Sequence, residues 1–147
     1  MAVTVKKATL WRKEVENRPG ELASTLEPLT GAGADLKVVM GYRYGPGDSK
    51  AAIEVYPVAG RKALAAAQQA GLGSSTIPTL VVEGDDKPGL GHAIAKALAD
   101  AGINLAFVIA QVIGRRYTAV FGFESEPDAA KAARLIKTAA PAARKGR

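Results

Sequence analysis

Apolar positions along the chain switch between a strand-like period of two and a helical period, and the switching happens twice in the same order. Stretches at Ala8 to Glu16 and Ile77 to Glu83 are rich in Val, Thr, Leu and Trp and read as strands. Each is followed by a Pro-Gly pair, Pro19-Gly20 and Pro88-Gly89. Helical spacing comes next: Leu22, Leu26 and Leu29 in one place, Leu90, Ile94 and Leu98 in the other. Proline suits the first helical position, so each helix is expected to open near its Pro-Gly. Gly33 and Gly102 stand where a left-handed C-terminal cap belongs. A second strand follows each helix. The first alternates Leu36, Val38, Met40, Tyr42 and Tyr44 onto one face. The other is apolar at every position from Leu105 to Ala110 and again at Val112 and Ile113, so both of its faces are expected to be buried, with sheet edges or faces meeting another unit. Turns at Gly45-Pro46-Gly47-Asp48 and Gly114-Arg115-Arg116 lead into third strands, Ala51 to Tyr56 and Tyr117 to Phe123. Ala-rich helices close each series, Gly60 to Ala70 and Pro127 to Ala140.

The repetition extends to individual residues. One fixed shift carries Asn17-Arg18-Pro19-Gly20 onto Asp86-Lys87-Pro88-Gly89, Leu29 onto Leu98, and Ala32-Gly33 onto Ala101-Gly102. The same shift carries Leu36 onto Leu105, Val39 onto Val108 and Gly45 onto Gly114. The chain therefore reads as a duplication. The expected fold class is α+β: two ferredoxin-like βαββα(β) units in tandem, each an antiparallel sheet with helices on one face. The expected divisions are residues 1–74, residues 75–140 and a basic C-terminal tail at 141–147. The fourth strand usual in such units has no obvious source, so an exposed edge or a strand borrowed from a neighbour is expected. Units of this size bury little alone, which favours packing of one copy on the other and on a second chain, a homodimer.

Composition removes many chemistries. The 147 residues contain no Cys and one His, His92, which leaves no disulfide scaffold, thiolate metal site, iron–sulfur cluster or multi-imidazole zinc site. No apolar run is long enough to span a bilayer, and the N-terminus lacks the pattern of a signal peptide, so a cytoplasmic protein is expected. The net charge is +6, and Arg144, Lys145 and Arg147 in the tail supply half of it. That excess fits a solvated end better than a distributed nucleic-acid surface.

With those residues in view, a resemblance emerges. Asn17-Arg18-Pro19-Gly20 with Leu22, Leu26, Gly33, Asp35 and Leu36 resembles an ACT domain, the small-molecule regulatory module attached to many amino-acid biosynthetic enzymes. Asp86-Lys87-Pro88-Gly89 with Leu90, Ile94, Gly102, Asn104 and Leu105 resembles a second, closer to the family pattern. The resemblance implies a ferredoxin-like fold that binds amino acids where two such units meet. The family's ligand contacts come from the loop between first strand and first helix and from the residue two after the helix-ending glycine. Carried over, these are Asn17 and Asp35 in the first copy and Asp86 and Asn104 in the second. Asp35 departs from the pattern, which has Asn there. Gly20 and Gly89 complete the candidate ligand-binding set, because a residue without a Cβ lets a ligand come close. An uncapped helix N-terminus offers N–H donors to a carboxylate, and an amide or carboxylate accepts from an ammonium group. In this reading Asp86 and Asn104 return to one end of the sheet. Neither a metal nor a cofactor is implied.

These residues are compatible with three functions. The favoured one is a non-catalytic sensor that binds a small amino acid or related metabolite at interfaces between ACT units, as a homodimer, and signals to a regulated partner protein. The alternative is a nucleic-acid binder on the same sheet; its third strands offer Tyr56 in one copy and Tyr117, Phe121 and Phe123 in the other, without the Lys/Arg-Gly-Phe surroundings of an RNA-recognition strand. A small enzyme has only Glu14/Glu16 and Asp85/Asp86 as paired acids, and these flank the binding loops. Trp11, Tyr42 and Tyr44 are expected to pack, and Arg115-Arg116 to be a solvated turn or an anion contact.

Overall fold

The computed structural model describes residues 3–145, with side chains as far as residue 140. The elements, in order, are β1 (Thr4–Ala8), β2 (Trp11–Glu16), α1 (Glu21–Gly31), β3 (Val38–Arg43), β4 (Lys50–Tyr56) and α2 (Arg61–Gln69). They continue with β5 (Gly73–Ser74), β6 (Thr79–Asp85), α3 (Leu90–Asp100), β7 (Leu105–Ile113), β8 (Arg116–Phe123) and α4 (Glu126–Lys145). The strands form two antiparallel four-stranded sheets, ordered β3-β4-β2-β5 and β1-β6-β8-β7. Both sheets have the ferredoxin-like order, and the α+β tandem architecture read from the sequence is borne out.

The fourth strands come from within the chain. In the compact unit spanning Thr9–Thr76, the edge beside β2 is filled by β5, only two residues long. In the other unit the edge beside β6 is filled by β1, which comes from the beginning of the chain and pairs antiparallel from Thr4↔Glu83 to Ala8↔Thr79. The sequence reading placed these residues with the first copy and opened its first strand at Ala8; they belong to the second sheet. Gly84 makes room for β1, since a Cβ there would lie 2.9 Å from a Val3 methyl group.

The two cores differ in size. In the unit containing α3 and α4, Leu90, Ile94 and Leu98 are all buried, as their spacing predicts, and pack with Val82, Phe121, Phe123 and Ile136. In the unit containing α1 and α2, the predicted Leu22–Leu26–Leu29 stripe is only partly realised. Leu29 is fully buried and Leu26 half-buried, but Leu22 is 44% exposed while Thr25 takes the inward position. The register of α1 turns its inner face toward Thr25 and Leu29 because these two residues stand one turn apart.

Three further expectations need correction. Each of α1 and α3 begins two residues after its proline, not at it. Lys87-Pro88-Gly89-Leu90 is a turn closed by the Leu90 N–H donating to the Lys87 carbonyl at 3.0 Å, with Gly89 at φ 87°. Pro followed by a left-handed Gly is the signature of a type II turn, so proline sets the turn rather than the helix. Second, β7 is not buried on both faces: Val108, Ile109, Val112 and Ile113 are 51%, 50%, 48% and 65% exposed. It has a neighbour on one side only. Third, α4 runs through Pro141 to Lys145, so the helix does not stop where the basic tail was expected to start. The side chains of Arg144 and Lys145, and Arg147 altogether, lie outside the described residues. The left-handed caps at Gly33 and Gly102 are present, with φ 76° and 73°.

Candidate functional site

The ends of each sheet are set by chain direction. Strand β6 runs up to Asp85, the loop turns at Asp86–Gly89, and α3 returns to the opposite end. Strand β7 therefore starts at that opposite end and climbs back to the hairpin at Gly114-Arg115. Asp86 and the hairpin meet, with the Asp86 N–H donating to the Arg115 carbonyl at 2.8 Å. The neighbouring residues Asp85 and Arg116 face each other across β6 and β8 and form an ion pair at 3.1 Å.

An open cavity of about 360 Å³ lies at this end, lined by Asp85, Asp86, Lys87, Gly114 and Arg115. Two carboxylates and two cations border it. The start of α3 adds donors: Gly89 is the N-cap residue, no side chain caps the helix, and no acidic residue occupies its first turn. The Leu90 N–H is taken by the Lys87 carbonyl, and the N–H groups next after it at a helix start have no partner within the helix and lie at the positive end of its dipole. A zwitterion would meet acceptors and donors on one surface. Lys87 and Gly114 are not among the predicted binding residues, and Arg115 is expected only as a solvated turn or an anion contact. The signal for Arg115 was present in the sequence, because a strand–turn–strand reading already placed it in the hairpin.

Asn104 is not part of this cluster. It precedes β7 at the far end of the sheet, and its side-chain amide donates to Glu124 at 3.0 Å. Nine residues of β7 separate the two ends, about 30 Å at the usual rise of an extended chain. The expectation that Asp86 and Asn104 return to one end is thus overturned within a unit: the strand after the helix starts where the helix ends, and the helix ends away from Asp86.

The other unit repeats the separation. Asn17 sits beside the β3–β4 hairpin, its N–H donating to Ser49 at 2.8 Å and its side chain to the Asp48 carbonyl at 3.3 Å. Asp35 lies at the other end, paired with Lys37 at 2.6 Å. A second cavity, about 590 Å³, opens there between the Gly33–Lys37 loop and the start of α2, with Asp35, Lys37, Arg61 and Lys62 around it. Gly20 and Gly89 both adopt left-handed φ, 93° and 87°, and a Cβ on either would meet nothing within 4 Å. Backbone conformation, not a close approach inside the chain, accounts for glycine at both positions.

On the open face of the β3-β4-β2-β5 sheet, the tyrosines expected to pack instead form a polar network. The Tyr42 hydroxyl donates to Glu54 at 2.7 Å, Arg12 donates to the Tyr44 hydroxyl at 2.7 Å, and that hydroxyl donates to Glu14 at 2.8 Å. Glu54 is fully buried, with one carboxylate oxygen left without a partner. Burial, reinforced by the bond to Glu54, pushes the Tyr42 hydroxyl above its ordinary pKa. Burial opposes ionisation of Arg12, but its bonds to Tyr42 and Tyr44 outweigh this and raise its pKa. Among the described residues no cluster of three or more His, Cys, Asp or Glu could hold a metal ion. No described helix is long and apolar enough to cross a membrane.

No family model matches the sequence, and no curated protein matches it. Solved structures do resemble the fold. A protein from Bacteroides thetaiotaomicron superposes with a TM-score of 0.71 over 88% of each chain, at 13% identity. The ligand-free regulatory subunit of aspartate kinase from Thermus thermophilus superposes at 0.61, covering 95% of this chain and 97% of its own, at 18% identity. A putative C-terminal regulatory domain of aspartate kinase from Porphyromonas gingivalis gives 0.57 over 93% and 94%, at 9% identity. The chain shares its fold, two ferredoxin-like units in tandem, with these proteins. At these identities the likeness concerns the fold alone, and the chemistry of the two units has to be read from their own residues.

Proposed function

We propose that this chain is a non-catalytic regulatory module that binds a small amino acid, or a metabolite of the same zwitterionic type, and acts as a homodimer on a partner protein. The observation that carries this reading is the cavity lined by Asp85, Asp86, Lys87, Gly114 and Arg115, in the loop that leads directly into an α3 start no side chain caps. A carboxylate is held by the N–H groups and Arg115, and an ammonium group by Asp86. The fold shared with regulatory parts of aspartate kinases supports a regulatory rather than a catalytic role. Regulation then requires the amino acid to bind one arrangement of the partner assembly better than another.

A thermal-shift screen of the twenty protein amino acids, with a short single-stranded oligonucleotide alongside, tests the reading. An amino acid present at 100 times its Kd adds about 2.7 kcal/mol of stability. A shift with the oligonucleotide and with none of the amino acids overturns it in favour of nucleic-acid binding. Asp86→Ala is expected to remove most of the amino-acid shift while leaving the melting point of the free protein nearly unchanged. The Asp86 backbone N–H, which holds the hairpin, survives that substitution.

A further inference from the structure

The two copies hold different charges at the same loop end. In the unit of Thr9–Thr76, Arg18 donates to Glu21 at 2.6 Å, so an acid in the first turn of α1 neutralises the loop cation. The shift that aligns the copies carries Arg18 onto Lys87, Glu21 onto Leu90 and Pro46 onto Arg115. In the second copy the acid is absent and a further cation is present. Among the described residues, the side chains of Asp86, Lys87 and Arg115 make no hydrogen bond or ion pair. Asp85, by contrast, is taken by Arg116 at 3.1 Å. The cavity of about 360 Å³ is thus bordered by two uncommitted cations and one uncommitted carboxylate, and the loop leads into the positive end of α3. None of its lining residues has an apolar side chain.

We infer that the ligand of this cavity is an amino dicarboxylic acid, a zwitterion carrying one further carboxylate. This rests on the function proposed above and names its ligand class. An α-carboxylate and an α-ammonium group engage Arg115, the helix N–H donors and Asp86, which leaves Lys87 without a counter-charge. Lys87 is half-buried, so a ligand that displaces its water without replacing the hydrogen bonds loses affinity. A second carboxylate supplies them and makes the contact charge-assisted. A basic amino acid brings another cation against Lys87 and Arg115 and is repelled. A leucine- or phenylalanine-like side chain finds no apolar wall to bury against. Glutamine and asparagine keep the shape of the acids and lose the charge, so they separate the two causes.

Calorimetric titration of the native chain with glutamate, aspartate, their amides, lysine, leucine and succinate at low salt tests the class. The better of the two acidic amino acids is expected to bind about tenfold or more tighter than its amide. That margin should shrink in high salt. Succinate has both carboxylates and no ammonium group, so it is expected to bind more weakly, with Asp86 left unmatched. Lys87→Met is expected to bring acid and amide within about threefold of each other while affinity for the amide changes little. The Lys87 carbonyl that closes the turn onto the Leu90 N–H survives that substitution. Arg61→Met, at the other cavity, should leave the margin as it is. An amide, lysine or leucine that binds as tightly as the acids overturns the acidic class and leaves the proposed function standing. Succinate binding as tightly as the acids overturns the pairing of Asp86 with an ammonium group, and with it the amino dicarboxylic class. A margin that survives Lys87→Met, or that falls with Arg61→Met instead, overturns the assignment of the second carboxylate to Lys87. Binding of none of the twenty amino acids by the native chain sinks the function and this inference together.

Discussion

The two ferredoxin-like units share one topology and differ in how their sheets end. The sheet of Thr9–Thr76 is closed by the two residues of β5 and carries a polar network on its open face, where Tyr42 and Tyr44 meet Glu54, Glu14 and Arg12. The other sheet is closed by the five residues of β1 and leaves an apolar edge at β7. Under the shift that aligns the copies, Tyr42 corresponds to Gln111. A duplicated chain has thus kept its core pattern and diverged at its borders, where an element meets solvent or another molecule. Function is read from those borders.

The largest effect should come from removing β1. Deleting residues 1–8 strips the ladder on β6 and uncovers Leu80 and Val82, two residues of the larger core. With about 1 kcal/mol for each lost bond of a ladder that spans five residue pairs, and a further 1.5 kcal/mol or more for apolar burial, the loss is about 6 kcal/mol or more. The loss should be confined to one unit. Trp11, the only tryptophan, packs against the core of the other unit, so its fluorescence transition in urea reports that unit alone. The Trp11 midpoint is expected to stay while the circular-dichroism midpoint falls. A joint shift would show that the units unfold as one.

Next in size is a contrast between residues that the sequence treats as equivalent. Ile94→Ala in α3 opens a cavity in the larger core and should cost about 2–5 kcal/mol by denaturation. Leu22→Ala in α1 removes a side chain that is 44% exposed and should cost less than about 0.5 kcal/mol. Comparable losses would mean that Leu22 is covered in solution.

That contrast shows how much the sequence could reveal. Periodicity placed all four helices and the three main strands of each copy, because alternation and 3.6-residue spacing are local properties. It missed β1, where two apolar positions, Val5 and Ala8, stand among lysines and threonine, too short a signal to separate from a loose terminus. It also misjudged β7: an apolar strand looks the same whether another element or another molecule covers it. The candidate site was half legible. Pro-Gly marked the loop that holds Asp86, whereas Arg115 and the separation of Asn104 depend on chain direction through the whole sheet.

A smaller loss is expected at the polar network. Tyr42→Phe removes the donor to Glu54 and leaves a fully buried carboxylate with neither oxygen partnered by this tyrosine, at a cost of about 1–2 kcal/mol in urea. The apolar border at Gln111 has no such dependence, so Gln111→Ala should be close to neutral. If Tyr42→Phe is equally neutral, the network is a surface feature and not a constraint on the sheet.

The smallest effect concerns an ion pair found at the same place in both units. Glu16 and Lys50 face each other where β2 and β4 meet the binding-loop end, as Asp85 and Arg116 do on β6 and β8. The hydrogen bond from Lys50, then its charge, lowers the Glu16 pKa below its ordinary 4.5, and the same contact raises that of Lys50 above 10.5. A depressed carboxyl pKa adds stability that is present above about 4.5 and lost as the pH falls through the folded value. A raised ammonium pKa adds stability that is present below about 10.5 and lost as the pH rises through the folded value. Lys50→Met should therefore return the Glu16 titration, followed by carboxyl carbon NMR, to the ordinary range and flatten the pH dependence of stability at both extremes. Because both groups are exposed, the change in stability at neutral pH should be slight and should vanish in high salt. If instead Lys50→Met altered amino-acid binding as well, the pair would be fixing the loop end rather than merely decorating it. Arg116→Met at the equivalent place would then be expected to weaken binding more, since Asp85 borders the cavity itself.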